Sequence, residues 1–511
     1  MKGVKIMEET RKNGMLVDVD EFPKSKGQAV ILAIQHVLAM FVACITVPLI
    51  VFSSYKTASG ESLAQLLIAP TIVSAGVGTL FYLFMTKFKS PMFLASSFAY
   101  LSPMITAVGI GVTKTQPLPN LWLLPIGMAM VGLVYVIIAI VIKFCGVRWL
   151  NKLLPPLVIG PVIMVIGLGL AGSAINNLAN TAGDYSMIVY GAERADDAIV
   201  LVSGYNLLHI LSGLVAMIVT GVCAHYGKKT LSLIPFVIGM AAGYVFALIL
   251  TLIGYYGAGN EYFKIVDLSP IVNNFVNADG EFRGIQAFID YPKFLFLQAE
   301  NSQPLTGAGV AQAAMLFIPV SLVTICEHIG DHENMSGVIQ KNLLEEPGLD
   351  RTLIGDGVAT ALSGGLCGAA NTTYGENVAV VGVSKVASTG VIALACAFAI
   401  ILGLLSPLMA IVQTIPGCIC GGVSLVLYGF IASSGVKILM ANKIDMGNTK
   451  SIFVASSILV AGIGGLAINF AIGEVGFSIS STAVAMILGI VMNLILKDKK
   501  EDKPAAPAEG E

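Results

Sequence analysis

Long apolar stretches alternate with short polar ones along this chain, with neither the two-residue alternation of a half-buried strand nor the single stripe of a surface helix. Crossing a hydrocarbon core of about 30 Å takes roughly 20 helical residues. Runs of that order recur near 28–52, 64–86, 91–112, 121–144, 153–174, 205–226, 231–255, 309–336, 352–369, 374–389, 391–413, 417–436, 451–472 and 478–496. These fourteen segments predict an all-α polytopic membrane protein. The third and tenth are the weakest as plain lipid-facing helices, because small, polar and β-branched residues interrupt them.

Those interruptions recur in order. Ile34-Gln35-His36-Val37 in the first span answers Cys326-Glu327-His328-Ile329 in the eighth. Ala95-Ser96-Ser97-Phe98-Ala99 in the third answers Asn371-Thr372-Thr373-Tyr374-Gly375 at the tenth, and Leu154-Pro155-Pro156 in the fifth answers Ile415-Pro416-Gly417 in the twelfth. Each pair is seven spans apart. An odd repeat length makes the second half enter the membrane from the opposite side, so the pattern predicts 7+7 inverted repeats, a transporter architecture. The residues around Ser96 and Asn371 predict two short extended segments, with Gly375 opening a helix and Pro103 fitting an early helical turn. Extended segments from inverted repeats can pair and satisfy their backbone groups at membrane depth. Each then leaves a half-helix N-terminus at the midplane, and Glu376 falls in the first turn of one of them, where the helix dipole favours negative charge.

Charge sets the orientation. Alternating the loops places 22 Lys and Arg residues on one face and 6 on the other, with Lys385 inside a span. By the positive-inside rule both termini are cytoplasmic. Residues 1–27 form a polar N-terminal segment, 256–308 an acidic external loop, and 497–511 a charged, Pro/Ala-rich tail expected to be disordered. Of the 511 residues, 56% are hydrophobic and only 12% charged, about half the charged share of soluble domains, and the mean hydropathy is +0.84. A soluble chain this apolar has too little polar surface to cover itself, so lipid is the first partner. The net charge of −2 gives no argument for nucleic acid. The eight cysteines lie in or beside apolar runs and read as small buried residues.

Ionisable groups at membrane depth are costly and mark function. Span eight carries Glu327 and Asp331 on one helix face, with His328 and His332 on the adjacent one. Those histidines beside carboxylates could also bind a metal, but no third ligand cluster appears, so neither metal nor cofactor is expected. Glu327 and Asp331 could instead merely pair with another chain or with His328. His36 reads as a satisfied packing residue, and Lys385 either contacts a ligand or snorkels to the interface.

The stretch Asn371–Asn377 (NTTYGEN), with Glu327-His328 upstream, resembles the nucleobase–ascorbate transporter family. The likeness extends through Gln35-His36, Ser96-Ser97-Phe98-Ala99-Tyr100, Gly421-Gly422-Val423-Ser424-Leu425 and Tyr428-Gly429. The signature region reads Glu376-Asn377-Val378-Ala379 and then Ser384-Lys385; Ala379 and Ser384 depart from the family pattern. By resemblance, Glu327 and Glu376 hold a nucleobase, the backbone around Phe98 and Gly375 completes the site, and Ala43, Tyr374 and Tyr428 lie near the ring. The proton-coupling candidates are Glu327, Asp331 and His328, although relatives often have histidine where Asp331 stands. The resemblance implies a non-enzymatic symporter of the inner membrane that imports uracil with protons, as a homodimer. It also implies a core domain (28–144 and 309–413) moving against a gate domain (153–255 and 417–496). A purine (xanthine or urate) permease is the alternative. An anion transporter or channel of the same fold, and a membrane enzyme built on the histidine–carboxylate cluster, are more distant ones.

Overall fold

The computed structural model describes residues 14–496 except 53, 54, 59, 114, 115, 189–198, 228–230, 232, 233, 277–279, 292 and 474. Most of the N-terminal segment's basic residues and the expected disordered tail (497–511) lie outside the described residues.

The first half runs α1 (Lys26–Val51), α2 (Leu63–Leu66), α3 (Ile68–Met85), β1 (Leu94–Ser96), α4 (Leu101–Gly109), α5 (Leu123–Cys145), α6 (Arg148–Leu153), α7 (Pro156–Gly169), α8 (Ala171–Ala179), the hairpin β2 (Asn180–Ile188) and β3 (Ile199–Tyr205), α9 (Leu207–Tyr226) and α10 (Pro235–Leu250). A π-helical turn, Thr251–Gly257, extends α10. Short helical turns and α11 (Ser269–Phe275) then give the acidic loop regular structure that its sequence did not announce. The second half runs α12 (Gly307–Ile339), α13 (Leu349–Gly365), β4 (Asn371–Thr373), α14 (Gly375–Ser384), α15 (Thr389–Leu404), α16 (Ser406–Gln413), α17 (Gly417–Ala441), α18 (Thr449–Ile463), the hairpin β5 (Ile468–Ile472) and β6 (Val475–Ile479), and α19 (Ser481–Ile495).

Among the described residues, eight helices are long and apolar enough to cross a membrane, and three shorter apolar ones span 389–404, 449–463 and 481–495. The other three expected spans are α13 and the two strand–helix segments. Helix starts follow local chemistry: the side chains of Ser25, Asn206, Thr306, Ser388, Asn448 and Ser480 each accept a hydrogen bond from a backbone N–H in the first turn they cap.

Two expectations need correction. The chain is not all-α apart from two extended segments, because the β2–β3 and β5–β6 hairpins add strands. Spans thirteen and fourteen are also shorter than 451–472 and 478–496. Gly464-Gly465, with Gly465 at φ +78°, ends α18. The alternation Ile468-Asn469-Phe470-Ala471-Ile472 then suits a strand better than a further helical turn.

α5 packs on α12 and α13, α3 on α13 and α15, and α1 on α15. A second group joins α7, α8, α9 and α10 to α17, with α18 and α19 on α7. Glycines permit the closest crossings. A Cβ at Gly422 would lie 2.0 Å from the carbonyl oxygen of Gly213, so α17 and α9 meet backbone to backbone there.

Candidate functional site

The predicted extended segments do pair. β1 and β4 run antiparallel with Leu94 opposite Thr373, Ala95 opposite Thr372 and Ser96 opposite Asn371. The N–H of Ser97 continues the pairing by donating to the carbonyl of Ala370 at 2.7 Å. All six strand residues are buried. Two three-residue strands have no independent stability; they persist because each satisfies the other's backbone where water is excluded. Thr79 anchors the crossing, its hydroxyl accepting from the N–H of Leu94 at 2.9 Å. α4 starts five residues beyond Ser96 and α14 two beyond Thr373, so both half-helices begin at this crossing, and no side chain caps either first turn.

A small cavity of about 30 Å³ lies there, bounded by Ser96, Phe98, Glu327, Asp331, Thr372–Glu376, Ile163 of α7, and Phe430, Ile431 and Ser434 of α17. Five of the residues expected to bind the base line it: Glu327, Glu376, Gly375, Phe98 and Tyr374. Asp331 lines it too, and its Oδ2 accepts from the Thr373 hydroxyl at 2.7 Å. Tyr428 stands one layer back, its ring edge-to-face with Phe98 at 5.1 Å between centroids. Ala43 is buried in α1 and does not line the cavity.

The two glutamates share one property. Oε2 of Glu327 and Oε1 of Glu376 are buried and accept no hydrogen bond, as is the Tyr374 hydroxyl. Buried polar atoms are almost always bonded, so unpartnered acceptors on two residues that line one cavity are suited to a donor-bearing ligand. Among the described residues no lysine or arginine lines the cavity, so they offer an anion no countercharge there.

His328 does not reach the cavity. Its ring N–H at Nδ1 donates to Oδ2 of Asp356 at 2.7 Å, its Nε2 lies 3.0 Å from the Thr352 hydroxyl, and its ring stacks on His332 at 4.1 Å. His332 donates through Nδ1 to the carbonyl of His328 and bonds the Tyr82 hydroxyl through Nε2, both at 2.7 Å. These groups form a network behind the carboxylate face of α12. Asp356 was missing from the sequence reading, although an aspartate in the apolar stretch Leu353–Ala361 was a visible signal. His36 is a packing residue: Asn377 donates to its Nδ1 at 2.9 Å and ties α14 to α1. Lys385 is exposed at the end of α14, where its carbonyl accepts from the N–H of Leu16 at 2.7 Å.

Comparison with known proteins gives a consistent result. The Xan_ur_permease model, described as Permease family, matches residues 27–470. A protein named uracil permease from Bacillus caldolyticus is 36% identical over 489 residues, covering 96% of each chain. One of the same name from Bacillus subtilis (strain 168) is 36% identical over 471 residues, covering 92% of this chain and 93% of that one. A third, from Escherichia coli (strain K12), is 30% identical over 470 residues, covering 92% and 91%. Among solved structures, the transmembrane domain of a cyanobacterium bicarbonate transporter, BicA, aligns with a TM-score of 0.52 at 12% identity over 93% of this chain and 99% of that one. The murine Slc26a9 anion transporter in its inward-facing state aligns with a TM-score of 0.55 at 10% identity over 93% and 68%. At such identity these structures speak to fold alone.

Proposed function

The chain belongs to the permease family described by the Xan_ur_permease model, and from that premise we propose that it is a secondary transporter importing uracil together with protons. The observation that carries this reading is the pair of buried, unpartnered carboxylate oxygens on Glu327 and Glu376, two residues that line one cavity where two half-helices begin. Uracil offers two ring N–H donors beside two carbonyl acceptors. The glutamates accept from the donors, and backbone N–H groups near Phe98 and Gly375 donate to the carbonyls. Uracil is neutral near pH 7, which suits a site that matches hydrogen bonds and has no basic side chain. Relatives named uracil permease across nearly the whole chain support the choice of base.

In this reading the chain is a 7+7 inverted repeat of the inner membrane with cytoplasmic termini, acting as a homodimer. The core domain (28–144 and 309–413) carries both strand–helix segments and moves against the gate domain (153–255 and 417–496). Glu327 or Asp331 takes up a proton from outside and releases it inside. The cavity of about 30 Å³ has room for water but not for a pyrimidine ring, so binding requires the Phe98, Phe430 and Ile431 walls to part. The test is uptake of labelled uracil into proteoliposomes with and without an inward proton gradient, competed by xanthine. Gradient-dependent accumulation insensitive to xanthine is expected. Accumulation without the gradient removes the proton coupling, and preference for xanthine removes the choice of uracil.

A further inference from the structure

The cavity is bracketed along one face of α12. At 100° per residue, Gln312, Leu316, Glu327, Gly330 and Asn334 fall within about 60° of each other. Gln312 lies about 22 Å before Glu327 along the helix axis and Asn334 about 10 Å after it, at 1.5 Å per residue.

The two ends of that face differ. Beyond Glu327, α12 meets the second packing group tightly: a Cβ at Gly330 would lie 2.7 Å from Cδ1 of Ile438 and 3.0 Å from Cδ1 of Ile163. One turn further, Nδ2 of Asn334 donates to the Ser434 hydroxyl of α17 at 3.2 Å, and Ser434 itself lines the cavity. Before Glu327 the same face borders a groove of about 440 Å³ between α4, α12 and the β5–β6 hairpin, with Thr106, Ile110 and Leu316 on one side and Phe470 and Phe477 on the other. A hydrogen bond crosses it, from Nε2 of Gln312 to the carbonyl of Gly476 at 2.7 Å. The hairpin is stiffened by Phe470 stacked on its cross-strand partner Phe477 at 5.4 Å.

We propose that the Asn334–Ser434 bond and the Gly330 contact form the cytoplasmic seal of the transport path, and that the β5–β6 hairpin is its external lid, tied to α12 through Gln312. The proposal rests on the transport reading above and on the orientation set by loop charge. α17, α7 and the helices flanking the hairpin belong to one packing group, and α4 and α12 to the other. Each tie therefore joins the two groups, and the ties lie on opposite sides of Glu327. Alternating access requires one end to open while the other holds. Removing the inner tie shifts the population toward cytoplasmic opening, and removing the outer one toward external opening. A hydrogen bond between half-exposed groups shifts such an equilibrium about three- to tenfold.

The experiment uses Ile431→Cys, on the gate wall of the cavity, as the labelling reporter in full-length protein carrying Cys145→Ser, Cys223→Ser and Cys367→Ser at its exposed or half-buried cysteines. Labelling by a membrane-impermeant maleimide is timed from each side of oriented vesicles. Asn334→Ala is expected to speed cytoplasmic labelling about three- to tenfold, and Gln312→Ala to speed external labelling comparably. Ser434→Ala should reproduce Asn334→Ala, with the double variant no faster than either single one. Gly330→Ala, whose added methyl comes tightest against the flexible ends of Ile438 and Ile163, should also act on the cytoplasmic side. Unchanged labelling in these variants, or ties acting on the opposite sides, overturns the proposal. Labelling needs no substrate, so failure to transport uracil would defeat the function proposed above without touching this result.

Discussion

Replacing Glu376 with glutamine separates what the site costs from what it does. Glu376 is 8% exposed in the first turn of α14, and its Oε1 is buried without a partner. Glutamine keeps the shape, so the packing of α14 against α12 and α1 survives. It removes the charge and turns one acceptor oxygen into a donor. If that oxygen receives a ring N–H of uracil, the loss is one charge-assisted hydrogen bond, about 1.5–3 kcal/mol, or roughly a 10- to 150-fold weaker affinity. In the ligand-free protein the sign reverses, because burying an amide costs less than burying an unpaired carboxylate. The melting temperature should therefore hold or rise.

Glu327→Gln should behave in the same way, since its Oε2 is in the same condition. The assay is equilibrium binding of labelled uracil to purified protein alongside a thermal melt without ligand. Affinity within threefold of wild type in either variant refutes the assignment of that glutamate as a ligand to the base. A melting temperature lowered by many degrees shows instead that the carboxylate is structural and that its loss of binding is secondary.

Asp331 already accepts from Thr373, so Asp331→Asn should bind uracil within about threefold yet fail to concentrate it against a gradient. An asparagine variant that still accumulates uracil removes Asp331 from proton coupling. Gly422→Ala should destabilise the protein by about 1–3 kcal/mol or more in a denaturation assay, because the new methyl meets Gly213 backbone at the α17–α9 crossing; wild-type stability would mean that crossing has room to open. The carboxylate of Glu346, in the loop before α13, is held below the ordinary range by its hydrogen bond to Lys89 and the charge of that lysine. A depressed carboxylate contributes stability above its unfolded pKa and loses it as pH falls through the folded one. The pair is exposed and salt-screened, so Glu346→Gln should change the melting temperature little at neutral pH and not at all in acid. A large loss at pH 4 would contradict that.

Span positions and the strand crossing were legible because each rests on a local rule. Twenty apolar residues answer the thickness of the bilayer, and β-branched residues before Gly375 answer the conformation of β4. The half-helix starts followed from the same two segments. What could not be read needed distant partners. Tyr428 seats against Phe98 because α17 brings its ring to the segment between β1 and α4, which no spacing along the chain reveals. His328 stands among the proton-coupling candidates by sequence, and no spacing along the chain reveals that α13 brings Asp356 to its ring. The β5–β6 hairpin was hidden by its own apolarity: Ile468, Phe470 and Ile472 read as the end of a span, and only Gly464-Gly465 marks the turn away.

Polar groups at depth are treated in two ways, and the difference is itself an argument for a ligand. Behind α12 nearly every group is bonded: His328 to Asp356 and Thr352, His332 to Tyr82, and Tyr100 and Tyr135 to Thr324 at 2.8 and 2.9 Å. Around the strand crossing the opposite holds, and Ser97, Asn371, Thr372, Tyr374, Glu376 and Asn377 each keep a buried polar atom unpartnered, as does Glu327 opposite. A bonded network holds α12, α13 and α3 in one arrangement. Such rigidity lets the neighbouring face stay unsatisfied without collapsing, at a stability cost of about 1–3 kcal/mol for each buried orphan. Apolar replacements would relieve that cost, and a fold shaped for stability alone would carry them. Glu327 and Glu376 at the crossing are then best understood as held in readiness for donors that arrive with the substrate.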